Sequence, residues 1–225
     1  MEKGIWFFEE VDLYEILCPY KYTDHLKTHP LSSYNKLDFL FMEGDLARDI
    51  FLVAEGRVKI GFYDQEGNEQ VIAFLGRGEI LGEMALFGQK RYKEFAQAMT
   101  DHTLICKLRV EKAQELARDY VPFSLTLTKR FGERMQRLER RLQILLFKDA
   151  RQRLIEFLKD LCRDIGVPYR AGTKIALDIT QSDIAALIGS SRKTVSLLFT
   201  ELEETGLVTF FGRKEIFVPD VRKLV

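Results

Sequence analysis

The sequence predicts an α+β protein built in three parts: a small antiparallel β-barrel or sandwich, one long helix, and a C-terminal helix-turn-helix closed by a β-hairpin wing. Three observations carry that prediction. Between about Leu37 and Leu108, short β-branched and aromatic segments are broken by glycine-bearing turns. From Phe131 the apolar residues recur at spacings of four and three. From Thr180 a helix start signal, a glycine turn and a second amphipathic segment follow in quick succession.

Composition bounds the possibilities. The 225 residues suffice for two compact units, and 46% apolar, 12% aromatic and 30% charged residues with only 5 Pro exclude collagen, a disordered tail or a low-complexity scaffold. No apolar run approaches the ~18 residues of a membrane span, and Met1 to Glu10 lacks the basic, apolar and small-residue succession of a signal peptide. A cytoplasmic protein without a membrane partner is expected. Cys18, Cys106 and Cys162 are an odd number spread far apart, which spells neither a disulfide framework nor a metal or redox pair, so buried thiols are expected. The net charge of zero hides an asymmetry: residues 1–121 carry 15 basic and 21 acidic side chains, residues 122–147 carry 6 and 2, and residues 148–225 carry 13 and 11. The basic excess lies in the second half, where a polyanionic partner would bind.

In the N-terminal part, Asp49-Ile-Phe-Leu-Val-Ala, Arg57-Val-Lys-Ile-Gly-Phe-Tyr and Glu69-Gln-Val-Ile-Ala-Phe-Leu have strand composition. The turns Glu43-Gly44-Asp45, Glu55-Gly56, Glu66-Gly67-Asn68 and Gly76-Arg77-Gly78 supply positions where only glycine turns tightly at no steric cost. Residues 1–36, with Trp6, Phe7, Phe8, Tyr14, Tyr20 and Tyr22, suggest a helix and arm packed on this domain.

After Val110 the period becomes helical, with Pro122 where a helix can begin. Phe131, Met135, Leu138, Leu142 and Leu145 form a heptad seam, and Arg130, Arg134, Arg137, Arg140 and Arg141 occupy the other faces. A helix packed on its own domain is one reading. The narrowness of the stripe favours the other, a parallel two-helix seam between copies of the chain. Asp149 can cap the helix containing Leu154, Phe157, Leu158 and Leu161, which Gly166-Val-Pro168 ends; Tyr169 to Ile179 is expected to be a loop with a possible strand. The expected division is therefore a sensor domain at 1–121, a dimerisation helix at 122–147 and a second domain at 148–225.

Thr180-Gln-Ser-Asp183 is a capping-box-like start, followed by Ile184-Ala-Ala-Leu-Ile188, Gly189-Ser190-Ser191 and Arg192 to Glu204. This is helix, tight turn, helix: Ala185 permits close approach, Gly189 suits the left-handed turn position, and Val195, Leu198, Phe199 and Leu202 make the buried face. The opposite face carries Arg192, Lys193, Ser196 and Thr200. An arginine in the first turn of such a helix is suited to a guanine edge in a DNA major groove, and the helix N-terminus to a phosphate. Gly206 to Val218 forms two strands with Arg213 and Lys214 at the tip, where they would neutralise backbone phosphates.

Taken in order, Glu43-Gly44-Asp45, Phe51-Leu-Val-Ala-Glu-Gly56-Arg-Val, Gly78-Glu-Ile-Leu-Gly82-Glu83-Met84-Ala-Leu-Phe87, the long helix to Phe147-Lys-Asp149 and Gln181 to Leu207 resemble the cyclic-AMP receptor / fumarate-nitrate regulator (Crp/Fnr) family of bacterial transcription factors. The resemblance covers about Leu37 to Val218. It implies a double-stranded β-helix (β-roll) of cyclic-nucleotide-binding type, a dimerisation helix and a winged helix-turn-helix. It further implies a homodimer on double-stranded DNA with a palindromic operator, in contact with RNA polymerase. Carried over residue by residue, Ser191, Arg192, Lys193, Thr194 and Val195 match the family's base- and phosphate-contacting stretch, Thr180 matches its phosphate-contacting helix start, and Gln181 and Ser196 flank them. Two positions depart: Lys193 stands where the family commonly has Glu, and Leu197 where it has Arg. The acceptor for cytosine and one guanine contact are thereby lost, so a different half-site is expected, with Leu197 free to meet a thymine methyl.

The implied effector pocket departs too. Gly82 and Glu83 match the phosphate-binding turn and ribose-contacting carboxylate, though a retained β-roll turn accounts for them equally. The expected Arg-Ser pair is replaced by Gln89-Lys-Arg-Tyr-Lys-Glu94, and the adenine-holding pair by Leu138-Glu139. Cyclic AMP is therefore disfavoured, with Arg91 or Lys93 left as substitute anion ligands and Met84, Arg134 and Leu138 as further candidates in the pocket. An iron-sulfur cluster lacks its cysteines. Haem stays open, since one histidine suffices, although surface positions account for His25, His29 and His102 more simply. No closely spaced zinc ligand set exists. Two other classes compete: a nucleotide-sensing module whose winged helix binds protein, opposed by the basic Arg192-Lys193 turn and wing tip, and an enzyme, for which no catalytic motif is found.

Overall fold

The computed structural model describes residues 31–67, 69–176, 179–212 and 215–225. The expected N-terminal arm, Cys18, His25, His29, Arg213 and Lys214 lie outside the described residues. Contacts divide the described chain into two units, one ending at Met135 and the other beginning at Gln136.

The first unit is a roll of two four-stranded antiparallel sheets. One has the order β1 (Leu31–Tyr34), β8 (Thr103–Arg109), β3 (Asp49–Glu55), β6 (Ile80–Leu81); the other β2 (Phe39–Phe41), β7 (Phe95–Ala98), β4 (Val58–Tyr63), β5 (Glu69–Leu75). Phe51, Val53, Ile60, Leu75, Phe95 and Ile105 fill the space between them, and all are buried. The register of β4 against β5 shifts between Ile60 and Gly61, where a Cβ on Gly61 would lie 2.4 Å from the Gln70 carbonyl and 2.9 Å from the Phe95 ring, so the position takes glycine. Tyr92 pins the rim by stacking on Phe41 at 3.9 Å and donating its hydroxyl to the Asp49 carbonyl at 2.6 Å. Burial pushes that phenol up to about 12.

Two helices follow, α1 (Val110–Asp119) and α2 (Val121–Phe147). Phe123 and Leu127 of α2 join Ile50, Leu52, Cys106 and Leu108 of the roll in one apolar cluster, which fixes the first turns of α2 to the sheet. Farther along, the exposed apolar stripe differs from the expected seam at both ends. Met135 (62%), Leu138 (53%), Leu142 (56%) and Leu146 (66%) face outward, whereas Phe131 packs edge-on against Phe87 at 5.3 Å and Leu145 is half-buried. Leu145 and Leu146 lie about 100° apart on either side of the stripe, and Leu145 is the one turned toward Gly189.

The second unit contains the end of α2, then α3 (Ala150–Asp164), α4 (Gln181–Leu187) and α5 (Arg192–Glu204), with a sheet of order β11 (Thr209–Phe211), β12 (Glu215–Val218), β10 (Gly172–Ala176), β9 (Val167–Tyr169). Segment 169–179, expected to be mostly loop, supplies one strand and the end of another. Arg170 takes a positive φ of 51° in the turn, and Pro168, which lacks a donor, sits on the edge strand where none is missed. Leu154, Phe157, Leu158 and Leu161 of α3 pack with Ile184, Leu187, Val195, Phe199 and Leu202 in the buried interior. Asp149 caps α3 as expected: its side chain accepts from the Gln152 amide at 2.8 Å, and the Gln152 side chain accepts from the Asp149 amide at 3.1 Å.

Replacing Asp149 with alanine removes the bond its carboxylate accepts from the Gln152 backbone amide and leaves only the bond from the backbone amide of residue 149 to the Gln152 side chain. The variant is expected to lose about 1 kcal/mol of stability in the C-terminal unit, seen as a lower urea midpoint in the helical circular-dichroism signal.

A helix-turn-helix face and a closed cleft

Thr180 begins α4 with a reciprocal capping box. Its hydroxyl accepts from the Asp183 amide at 3.1 Å and donates to Asp183 Oδ2 at 2.8 Å, and the same oxygen accepts from the Thr180 amide at 2.8 Å. The hydroxyl proton is thus committed to Asp183. A phosphate offers only acceptors, so Thr180 must release Asp183 before its hydroxyl donates to one. Ser191 caps α5 without a reciprocal box, accepting from the Thr194 amide at 3.0 Å and sharing a hydroxyl bond of 2.8 Å with Thr194. One of those two hydroxyls keeps a free proton.

Between the helices Gly189 has φ +63°, and a Cβ there would stand 3.0 Å from Leu145 Cδ2. That turn aims α5. Val195, Phe199 and Leu202 are buried, while Arg192, Lys193, Ser196, Leu197 and Thr200 share the exposed face at i, i+1, i+4, i+5 and i+8. Leu197 is 64% exposed, so core packing does not account for it. Gln181 is half-buried at the start of α4. The wing is the antiparallel pair β11 and β12, turning at Gly212 with φ +71°.

Sequence reasoning missed two arginines. Arg141 on α2 donates to the Leu187 carbonyl at 2.8 Å, and Arg153 on α3 donates to the carbonyls of Leu145, Lys148, Ile188 and Gly189. A signal existed for Arg153: it lies three residues after Ala150 and four before Phe157, within the apolar stripe of α3.

In the first unit, Gly82 and Glu83 open a short 3-10 turn, Glu83–Phe87. Gly82 has φ +72°, and a Cβ would lie 3.1 Å from both the Asp49 carbonyl and the Tyr92 ring. Glu83 is 6% exposed, and its carboxylate pairs with the Arg134 guanidinium. Together with Glu79, Ile80, Leu127, Arg130 and Phe131 they line a cleft of about 20 Å³. Arg130 is held by Glu133 at 2.7 Å. The cleft has room for a water and none for a nucleotide, and the Glu83 carboxylate is already taken by Arg134. The residues present do not fit a cyclic nucleotide.

Of the pocket residues expected from sequence, the structure brings Glu83 and Arg134 together. Met84, Arg91 and Lys93 line a separate open basin with Phe87 and Lys90, and Arg91 donates to the Gly44 carbonyl at 2.5 Å. Leu138 is exposed on the α2 stripe. Glu94 feels the buried cluster. Burial first, and the neighbouring Glu83 second, raise its carboxyl above the ordinary 4.5, while Arg134 and Lys93 pull it down. His102 is an exposed turn residue with φ 55°. Cys106 is buried, and burial pushes the Cys162 thiol up to about 11. Among the described residues no group of three or more His, Cys, Asp and Glu side chains is placed to hold a metal ion, and no helix is long and apolar enough to cross a membrane.

Comparison with known proteins agrees with this geometry. Residues 31–120 match the cyclic nucleotide-binding domain and residues 152–225 the Crp-like helix-turn-helix domain. The cyclic AMP receptor protein of Thermus thermophilus is 32% identical over 169 residues, covering 75% of this chain and 74% of that protein. The global nitrogen regulator of Synechocystis sp. is 28% identical over 186 residues, 82% of each chain. Among solved structures, a mutant of CooA from Carboxydothermus hydrogenoformans superposes with a TM-score of 0.80 at 28% identity, covering 99% of this chain and 98% of that one.

The raised Glu94 carboxyl has a pH signature. Its folded pKa exceeds the ordinary 4.5, so the folded chain binds more protons between those two values and stability falls as pH rises through that window. Glu94→Gln is expected to be more stable than the wild type at neutral pH, with the advantage fading as pH falls through that window towards 4.5; urea midpoints measured from neutral pH down to 4.5 check it.

Proposed function

The chain belongs to the Crp/Fnr family of DNA-binding transcription regulators, and we propose that it binds a palindromic operator as a homodimer without needing cyclic AMP. The observation that carries the reading is the outward face of α5, where Arg192, Lys193, Ser196 and Leu197 stand exposed behind a capped N-terminus. A rigid helix presenting a cation pair and one apolar side chain suits a major groove: Arg192 for a guanine edge, Lys193 for a phosphate or base acceptor, Leu197 for a thymine methyl. Thr180, Gln181, Ser191 and Thr194 flank the phosphates, and Arg213 and Lys214 of the wing add sequence-independent attraction. This division of labour assigns sensing to residues 1–121, dimerisation to 122–147 and DNA binding to 148–225.

Dimerisation is supported by the stripe Met135, Leu138, Leu142 and Leu146 on an otherwise charged helix. Independence from cyclic AMP is supported by the Glu83–Arg134 pair, which satisfies the carboxylate and closes the cleft. The protein works in the cytoplasm by binding rather than catalysis, and touches RNA polymerase as its family does. A protein-binding winged helix is not favoured, given the family and the basic first turn of α5.

Selection of duplexes from a randomised pool by the ligand-free protein tests this reading. Enrichment of a two-fold symmetric site with half-sites about one helical turn apart is expected, and added cyclic AMP should leave the affinity unchanged. Recovery of the unaltered half-site of the cyclic-AMP receptor, or enrichment only with the nucleotide, would overturn it. Arg192→Ala is expected to cost about 1–3 kcal/mol on the selected site and to relax one base position, whereas Leu142→Asp should yield monomers by ultracentrifugation and abolish palindrome binding.

A further inference from the structure

The last turns of α2 and α4 converge on one side chain. Arg153 Nη2 donates to the Leu145 carbonyl at 2.9 Å and Nε to the Lys148 carbonyl at 2.8 Å, both at the C-terminal end of α2. Its Nη1 donates to the Ile188 and Gly189 carbonyls at 3.2 and 3.1 Å, at the C-terminal end of α4. Helix C-termini leave carbonyls without intrahelical donors and carry partial negative charge, so one guanidinium here serves two helix ends at once. Only the planar fork of arginine spreads five donors widely enough for that; a lysine ammonium is a point charge with three.

Neighbouring contacts stiffen the same junction. Arg141 on α2 donates to the Leu187 carbonyl at 2.8 Å, Arg140 lies 3.7 Å from the fully buried Asp160 of α3, and Leu145 packs where a Gly189 side chain would project. The turn of the helix-turn-helix is thus fastened to α2, the helix that carries the proposed seam. From this we infer that Arg153 is a positioning residue that locks the helix-turn-helix to the end of α2 and thereby sets the half-site spacing the protein accepts. The inference rests on the dimeric DNA-binding reading above. Each added base pair both lengthens and rotates the second half-site, so a rigid junction rejects a changed spacer and a loosened one tolerates it.

The test uses the full-length protein, the selected duplex, and derivatives with the spacer lengthened or shortened by one base pair. Arg153→Met is expected to weaken binding to the selected duplex roughly tenfold, as loss of charged hydrogen bonds implies. It should also compress the wild-type preference for that spacer to within about threefold, while salt-dependent binding to random duplex is kept. Should Arg153→Met fail to fold, Arg153→Lys carries the test, with a preference between the two. An equal loss on all three spacers, or an unchanged preference, overturns the positioning role while leaving the DNA-binding reading intact. A wild type that enriches no duplex overturns both.

Discussion

Helix ends must find donors for their last carbonyls, and at the ends of α2 and α4 that requirement is met by side chains from other helices. Arg153 serves α2 and α4 together, and Arg141 reaches the last carbonyl of α4 from α2. The aim of the recognition helix therefore depends on the junction between α2, α3 and the turn at Gly189, where φ +63° and the Leu145 contact leave little latitude. The exposed face of α5 supplies chemistry, and this junction supplies direction.

The N-terminal unit solves a different problem with a similar device. A buried carboxylate at Glu83 is costly unless paired, and Arg134 from α2 pairs it within a cleft too small for a nucleotide. The β-roll supplies the glycine turn and the carboxylate, and α2 supplies the carboxylate's partner. A ligand seeking the Glu83 carboxylate would have to displace Arg134 from it first.

Helix α2 joins these themes through its sidedness. Its first turns bury Phe123 and Leu127 in the roll, its arginines face Glu83, Asp160 and the carbonyl of Leu187, and its remaining stripe of Met135, Leu138, Leu142 and Leu146 is left outward. A helix that spends its polar faces on its own chain and leaves leucines exposed is suited to a second copy of itself.

Much of this was legible in the sequence because the signals are local. Strand composition and glycine turns announced a small antiparallel barrel or sandwich, a capping carboxylate at Asp149 and a capping-box-like start at Thr180 announced helix starts within a residue, and the Arg192-Lys193 turn followed from helical periodicity. Motif order further pointed to the family. What periodicity leaves open is which of two adjacent apolar residues faces outward, since Leu145 and Leu146, about 100° apart on the helix, flank the stripe nearly equally and packing beside Gly189 takes Leu145 inward. Long-range pairs were likewise beyond it: Glu83 and Arg134 are 51 residues apart, and Arg153 meets Gly189 across 36. The sequence by itself determined the elements and the chemistry they carry, because propensity, capping and amphipathicity act within a few residues. Only the tertiary structure decided which charges neutralise one another, because a buried charge takes whatever partner the fold brings within hydrogen-bond distance.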